Sequence, residues 1–392
     1  MNYKKEVKEK LFSLEEGISE AVSGNHSMSL MQGLAGLPIL YAELYKHTKS
    51  RSYLKKLDVV IDKLIDIIEN TSASVSFCEG ITGVAFMLNY LQTEMKYKQS
   101  MVKELNRILD RLMIHFYQHA ENYNMDFMHG NAGILAYWLN KKTKIFKKDT
   151  QLLMPKYVKE LKTYLDGLKD PENDKKIVNC GMAHGLISNM MILAKYSERF
   201  NDHQYYYLLQ EIVDLVLLTR SRTTGAINAD FPAIIELGNI NPDNQYRVPL
   251  GWCYGDTVVS IGLAKAGQAL GNTRIRNLGH EVAVRTMERK TNAHAMILDA
   301  SFCHGSSSIA HVYNRWRWET NDNSFDEAYT DWILKTVELC QYTDGIGGYK
   351  KFEGDHFTPE MGLLDGATGA ALVLSDYVYG QKSSWDAAFL LS

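Results

Sequence analysis

Gly80-Ile81-Thr82-Gly83-Val84-Ala85 is a glycine, a second glycine three residues on, and then an apolar run at helical spacing. The same pattern stands at Gly33-Leu34-Ala35-Gly36, Gly130-Asn131-Ala132-Gly133 and Gly366-Ala367-Thr368-Gly369. Three further copies keep only the first glycine, at Gly185, Gly255 and Gly305, with Ser188, Val258 and Ser308 in the second slot. Recurrence about every fifty residues reads as a repeat architecture. A glycine at the mouth of a helix permits a tight loop and a close backbone approach. The helices that follow are apolar on most faces, as in Ile81, Val84, Ala85 and Leu88, or Ile134, Leu135 and Trp138, or Ala370, Leu372 and Val373, and are predicted to be buried. Between them lie amphipathic stretches, Tyr53 to Ile68 with Leu54, Leu57, Val60, Ile61, Leu64 and Ile65 on one stripe, and Leu105 to Phe116.

Each repeat therefore predicts one buried inner helix and one amphipathic outer helix. Seven such pairs close well into a ring, so the expected fold is all-α, an α/α toroid of seven inner and seven outer helices in a single domain over residues 1–392. An open solenoid of helix pairs is the alternative. Its terminal repeats should be polar caps, whereas Leu363-Leu364-Asp365-Gly366 looks like the other copies. The longest gap holds Thr223 to Glu236, whose Gly, Pro and Asn punctuation predicts an irregular loop or hairpin insertion over about 221–250. Ile346-Gly347-Gly348-Tyr349-Lys350 reads similarly.

Composition excludes several classes. Hydrophobic residues at 45% and charged residues at 23% suit one large core, and seven prolines without a linker-like run advertise no domain boundary. A net charge of −3 without a long basic block argues against nucleic acid. The run Lys141-Lys142-Thr143-Lys144, continuing to Lys147-Lys148, reads as a solvated loop. No signal-peptide core follows Met1-Asn2-Tyr3-Lys4-Lys5-Glu6 and no run of apolar residues is long enough to span a membrane, so a cytoplasmic protein is expected. An odd number of cysteines, five, without short paired spacings points to reduced thiols rather than a disulfide framework.

The chemistry concentrates beside the glycines. The residue before the first glycine is Gln32, Glu79, His129, His184, Tyr254, His304 or Asp365, all polar and predicted to face one mouth of the ring. Gly251-Trp252-Cys253-Tyr254-Gly255-Asp256 and Cys303-His304-Gly305 bring two cysteines and a histidine, which could give three soft ligands to one ion and leave a tetrahedral position open. Each residue alone has a plainer reading: the cysteines as small buried hydrophobes, His184 and Asp126 as helix caps. Two cysteine motifs at one phase of successive repeats are more specific. The copies that lost the second glycine are those carrying His184, Cys253 and Cys303-His304, as if function had displaced a structural rule. Cys78, Cys180 and Cys340 read as structural.

At Trp252-Cys253-Tyr254-Gly255, Cys303-His304-Gly305, Ala183-His184-Gly185 and Asp126-x-x-x-Gly130-x-x-Gly133, the chain resembles the lanthionine synthetase C-like family, specifically its stand-alone class I lanthipeptide cyclases. The resemblance implies an α/α toroid with Zn2+ at the mouth, ligated by Cys253, Cys303 and His304, and acid/base roles for His184 and Asp126. Tyr254 and His129 would stand behind them. Family members often place an arginine four residues before the first zinc cysteine; that position is Pro249 here, and Arg247 is the nearest stand-in.

The implied reaction adds a peptide cysteine thiol across the double bond of dehydroalanine or dehydrobutyrine, closing a lanthionine or methyllanthionine ring. A free thiol has a pKa of about 8.5, which zinc coordination lowers, and a histidine near 6.5 suits proton delivery to the enolate carbon. Implied partners are the dehydrated precursor peptide, a lanthipeptide dehydratase and a membrane exporter, with a monomeric cytoplasmic enzyme meeting the membrane only through them. Two alternatives keep the fold: a non-catalytic zinc- and glutathione-binding relative, or a different α/α-toroid enzyme such as a glycosidase. The last needs paired carboxylates and has no use for a cysteine-histidine pair.

Overall fold

The computed structural model describes the chain except residues 1–2, 25, 72–73, 120–123, 142–145, 171, 174–175, 224, 226, 321 and 381. In chain order the described residues form helices α1 (Tyr3–Ala21), α2 (Leu37–Thr48), α3 (Arg51–Asn70), α4 (Ile81–Met95), α5 (Gln99–His119), α6 (Asn131–Asn140), α7 (Phe146–Lys169) and α8 (Leu186–Phe200). They continue with α9 (Tyr206–Leu218), α10 (Asp256–Ala269), α11 (Thr273–Thr286), α12 (Asn292–Ala295), α13 (Ser306–Thr320), α14 (Ser324–Glu338) and α15 (Ala367–Tyr379).

Every glycine motif opens a helix. Gly36, Gly80, Gly130, Gly185, Gly255 and Gly366 are the N-cap residues of α2, α4, α6, α8, α10 and α15, and Gly305 directly precedes α13. The reason is steric: a Cβ on Gly80 would lie 2.2 Å from the Ser74 carbonyl oxygen, closer than any real contact. The helices so opened are buried all round, as expected. In α4 every residue from Ile81 to Leu88 is buried. The intervening helices are one-sided: α3 buries Tyr53, Leu57, Val60, Ile61 and Leu64 and leaves Lys55, Asp62, Asp66 and Glu69 exposed.

The chain divides into two compact units. The first, residues 1–116, 298–388 and 392, sets the inner helices side by side in the order α13, α15, α2, α4, with α14 outside α13, α1 outside α15 and α3 outside α2. The chain's first helix thus supplies the outer partner of its last inner helix. The second unit, residues 117–297 and 389–391, orders α6, α8 and α10, with α7, α9 and α11 outside them.

Two short antiparallel ribbons interrupt the helices: β1 (Ile177–Asn179) with β2 (Ile234–Glu236), and β3 (Lys351–Glu353) with β4 (His356–Thr358). The 221–250 insertion pairs its strand not with itself but with β1, the segment leading into the His184 turn. Its only internal ladder contact among the described residues is the Ala229–Tyr246 bridge.

Two expectations are corrected. Lys141 is buried at 6% exposure, its ammonium over the rings of Tyr137 and Trp138 at 5.0 and 4.9 Å, so it belongs to the packed end of α6 and not to a solvated loop. Residues 142–145 of that run lie outside the described residues. The serines in the second glycine slot are structural: Ser188 and Ser308 are fully buried and donate to the Gly185 and Gly305 carbonyls at 2.8 and 2.9 Å.

Gly255 differs from the other caps. Its φ of 105° and ψ of 169° fall in a region that is essentially glycine-only, and a Cβ there would lie 2.3 Å from the Pro249 oxygen. Gly255→Ala should cost about 3 kcal/mol or more, read as a lowered urea midpoint. Gly271→Ala, left-handed at φ 65° but facing open space, should cost only about 1 kcal/mol.

Candidate functional site

In the second unit, three of the glycine turns carry the polar groups singled out by sequence. Asp126 precedes the turn into α6, and its Oδ1 accepts the His129 amide at 2.8 Å, which closes that turn as a cap. Its Oδ2 faces Nδ1 of His184 at 2.7 Å. A carboxylate only accepts, so Nδ1 carries the proton and Nε2 is the ring atom left for other partners. The His129 ring stacks on that of His184, centroids 5.6 Å apart and 7° from parallel. Burial pushes the Asp126 carboxyl up, but the His184 hydrogen bond and the His129 amide outweigh it, and its pKa lies below the ordinary carboxylate value.

The pair borders a cavity of about 520 Å³ that reaches past Asn179 and Asn189 to Glu160, Thr163 and Tyr164 on α7. Asn189 is fixed at the cavity floor by the Tyr157 hydroxyl, which donates to it at 2.9 Å, and by its own bond to the Gly185 carbonyl at 2.8 Å. Sequence reading missed Asn189, one helical turn beyond Gly185 on a face otherwise apolar.

Cys253 is buried at 8% exposure in the turn before α10, and its carbonyl accepts the Met182 amide at 2.9 Å, two residues from His184. The Tyr254 ring packs against Gly181, where a Cβ would meet it at 2.6 Å. Arg247 is exposed and, among the described residues, makes no hydrogen bond or ion pair.

The first unit holds the other motif. The Cys303 turn is tied by Asp299, whose Oδ1 accepts the Ser301 amide and Oδ2 the Phe352 amide of β3, both at 2.9 Å. Phe302 and Cys303 donate their amides to the Leu364 carbonyl at 2.9 and 3.0 Å, and Leu364 donates to Met31 at 2.8 Å. This belt of backbone bonds sets neighbouring glycine turns edge to edge. As a result Cys303 Sγ, a ring nitrogen of His304 and a carboxylate oxygen of Asp365 lie within 4.8 Å of one another. A thiol and an imidazole at that spacing are the soft donors that zinc takes, so these residues fit the ion.

Two of the other cysteines, Cys180 and Cys340, are fully buried. Burial pushes Cys180 up to about 11 and Cys340 up to about 12, so both stay protonated. Among the described residues no helix is long and apolar enough to cross a membrane.

Comparison with known proteins agrees with the geometry. Residues 24–390 match the family model described as lanthionine synthetase C-like protein. The nisin biosynthesis protein NisC of Lactococcus lactis subsp. lactis is 22% identical, over 93% of this chain and 89% of its own. The solved structure of nisin cyclase superposes with a TM-score of 0.74 at 20% identity, covering 100% of this chain and 98% of that one, so the fold is the α/α toroid. The chain belongs to the lanthionine synthetase C-like family.

Proposed function

We propose that the protein is a zinc-dependent lanthipeptide cyclase, joining peptide cysteine thiols to dehydroalanine or dehydrobutyrine of the same dehydrated precursor. The observation that carries this reading is the Cys303–His304 donor pair, held beside Asp365, in a chain of this family. Cys253, Cys303 and His304 would hold the metal, which when bound supplies a thiolate at neutral pH from a group whose free pKa is about 8.5.

The chain's own residues do the rest. Asp126, kept ionised by its two hydrogen bonds, holds the His184 ring with Nδ1 protonated and Nε2 directed away from the carboxylate. His184 takes the thiol proton and returns one to the enolate α-carbon after sulfur has bonded to the β-carbon. The reaction is therefore an isomerisation with no change of mass. His129 supports the imidazole by stacking, and Tyr254 stands next to Cys253 as a wall of the site. Arg247 is the remaining cation on the Cys253 arm and the group proposed to meet the peptide from outside. The partners that follow are the precursor itself, the dehydratase that makes its double bonds and the exporter that removes the product.

The test is to incubate the full chain and zinc with a dehydrated precursor and to count thiols that still react with an alkylating reagent. Loss of alkylatable thiols at constant peptide mass is expected. Thiols that disappear no faster than in the absence of enzyme would overturn the proposal. Asp126→Asn should slow the reaction by about 10²- to 10⁴-fold with bound zinc unchanged. Because the folded Asp126 pKa is depressed, the pair's contribution is present above the unfolded carboxyl pKa of about 3.9 and is lost as pH falls through the folded value. The native protein's urea midpoint should therefore fall toward that of Asp126→Asn only below about pH 4.

A further inference from the structure

A second cavity, of about 840 Å³, lies in the second unit, and none of its lining residues borders the Asp126–His184 pair. It runs between one face of α9 and one face of α11. Gln210 and Asp214 stand a turn apart on the first, and Arg274 and Arg285, about three turns apart, share the second. The chain leaving α9 adds Arg220 and Arg222 to the lining.

Backbone bonds hold these arginines in place before any ligand arrives. The Ser221 amide donates to the Asp230 carbonyl at 2.8 Å and the Arg222 amide to that of Pro242 at 2.6 Å, which ties the start of the insertion to its later course. Asn272 caps α11 by accepting the Arg274 and Ile275 amides at 3.1 and 3.2 Å. Behind the cavity wall Asp230, whose side chain is 3% exposed, accepts Arg220 Nε at 2.9 Å and Arg285 Nη1 at 2.7 Å on the same oxygen. One carboxylate thus serves two guanidiniums, each of which has five N–H donors. Arg222 and Arg274 are exposed, and among the described residues neither side chain makes a hydrogen bond or ion pair. Four guanidiniums therefore meet two carboxylates, Asp214 and Asp230, an excess of two positive charges in a chain whose net charge is −3. The dipole of α11 adds to the excess at its capped end.

We propose that this cavity is a docking site for an acidic peptide segment carrying more than one carboxylate. A cleft lined by one sign of charge concentrates the opposite sign, and the planar guanidinium fork matches a carboxylate through paired hydrogen bonds. Asp230 already shows that pairing with two of the four arginines. The volume is that of sites which hold ligands of many atoms, and the free cations stand on separate walls, Arg222 beside α9 and Arg274 on α11, so one small anion leaves most of the lining unused. The site stands apart from the proposed chemistry and does not depend on it.

The experiment measures the fluorescence anisotropy of fluorescein-labelled hexaglutamate with the full-length chain at low salt. Two double variants accompany it, with helical content checked by circular dichroism. Arg222→Glu with Arg274→Glu reverses the unpaired cations of the cavity. Lys4→Glu with Lys55→Glu makes the same change in net charge at exposed lysines of α1 and α3. The arginine variant should bind the probe about tenfold or more weakly, the lysine variant should match the native chain, and added salt should weaken native binding. A native chain that does not bind the probe would overturn the proposal, as would arginine and lysine variants of equal affinity. Displacement of the probe by inorganic phosphate at the probe's own concentration would overturn it too, because a single anion would then be the ligand.

Discussion

Cys303→Ala is expected to slow thioether formation by at least about a hundredfold while leaving a folded helical protein. The fold should survive because Cys303 is anchored through its backbone: its amide donates to Leu364, and the turn around it is fixed by Asp299, neither of which needs the thiol. Cys303 is only half-buried, so truncation opens no deep cavity. What is lost, under the proposed function, is one of the soft donors assigned to the metal. Without an ion to lower it, a peptide thiol with a pKa of about 8.5 is mostly protonated at neutral pH. Initial rates of thiol loss, set beside the far-ultraviolet circular dichroism of the same samples, check this. Cys340→Ala makes the contrast: that thiol is fully buried with its pKa pushed up to about 12, so its removal should lower stability and leave zinc content unchanged.

The largest effect on stability should come from Asp386→Ala, at about 3–5 kcal/mol. Asp386 is fully buried in the closing 3-10 turn Trp385–Phe389. It takes both Arg315 and His311 of α13, the latter through Nε2 at 2.7 Å. Two further hydrogen bonds tie the same turn to α15, where Asp376 accepts from Ser383 and from the Trp385 indole, each at 3.0 Å. Removing the Asp386 carboxylate leaves the Arg315 guanidinium buried without its counter-charge, which costs far more than the pair's net worth. Burial alone would raise the Asp386 carboxyl, but Arg315 and His311 hold it well below the usual range. Its contribution is therefore present above the unfolded carboxyl pKa of about 3.9 and is lost as pH falls through the folded value. Urea midpoints at neutral pH measure the effect. The Asp344–Lys350 pair, whose carboxylate is 72% exposed, serves as the control, where Asp344→Asn should leave the midpoint in place.

The two networks mark what a sequence can and cannot disclose. Seven glycines at one phase are local signals, and each opens a helix because its own backbone passes too close to a carbonyl upstream for any Cβ. The polar residue before each glycine was legible for the same reason; Asp126, three residues ahead of His129 in one such turn, is the group that reaches His184 of another. Long-range pairings left no such trace. His311 and Asp386 stand seventy-five positions apart, and neither sits at a repeat position. Asp299 stands outside every repeat motif, although it ties the Cys303 turn to β3. β2 reads as part of a hairpin until its partner proves to be β1. Ser188 and Ser308 read as lost glycines because their hydroxyl bonds to Gly185 and Gly305 have no signature in composition.

Elemental analysis of the native full-length chain, purified without added metal, tests the central claim most directly. Cys253, Cys303 and His304 acting together predict about one zinc per chain, which should disappear in Cys303→Ala. A well-folded native protein that carries no zinc, and takes up none when zinc is supplied, would contradict the account at its first chemical step.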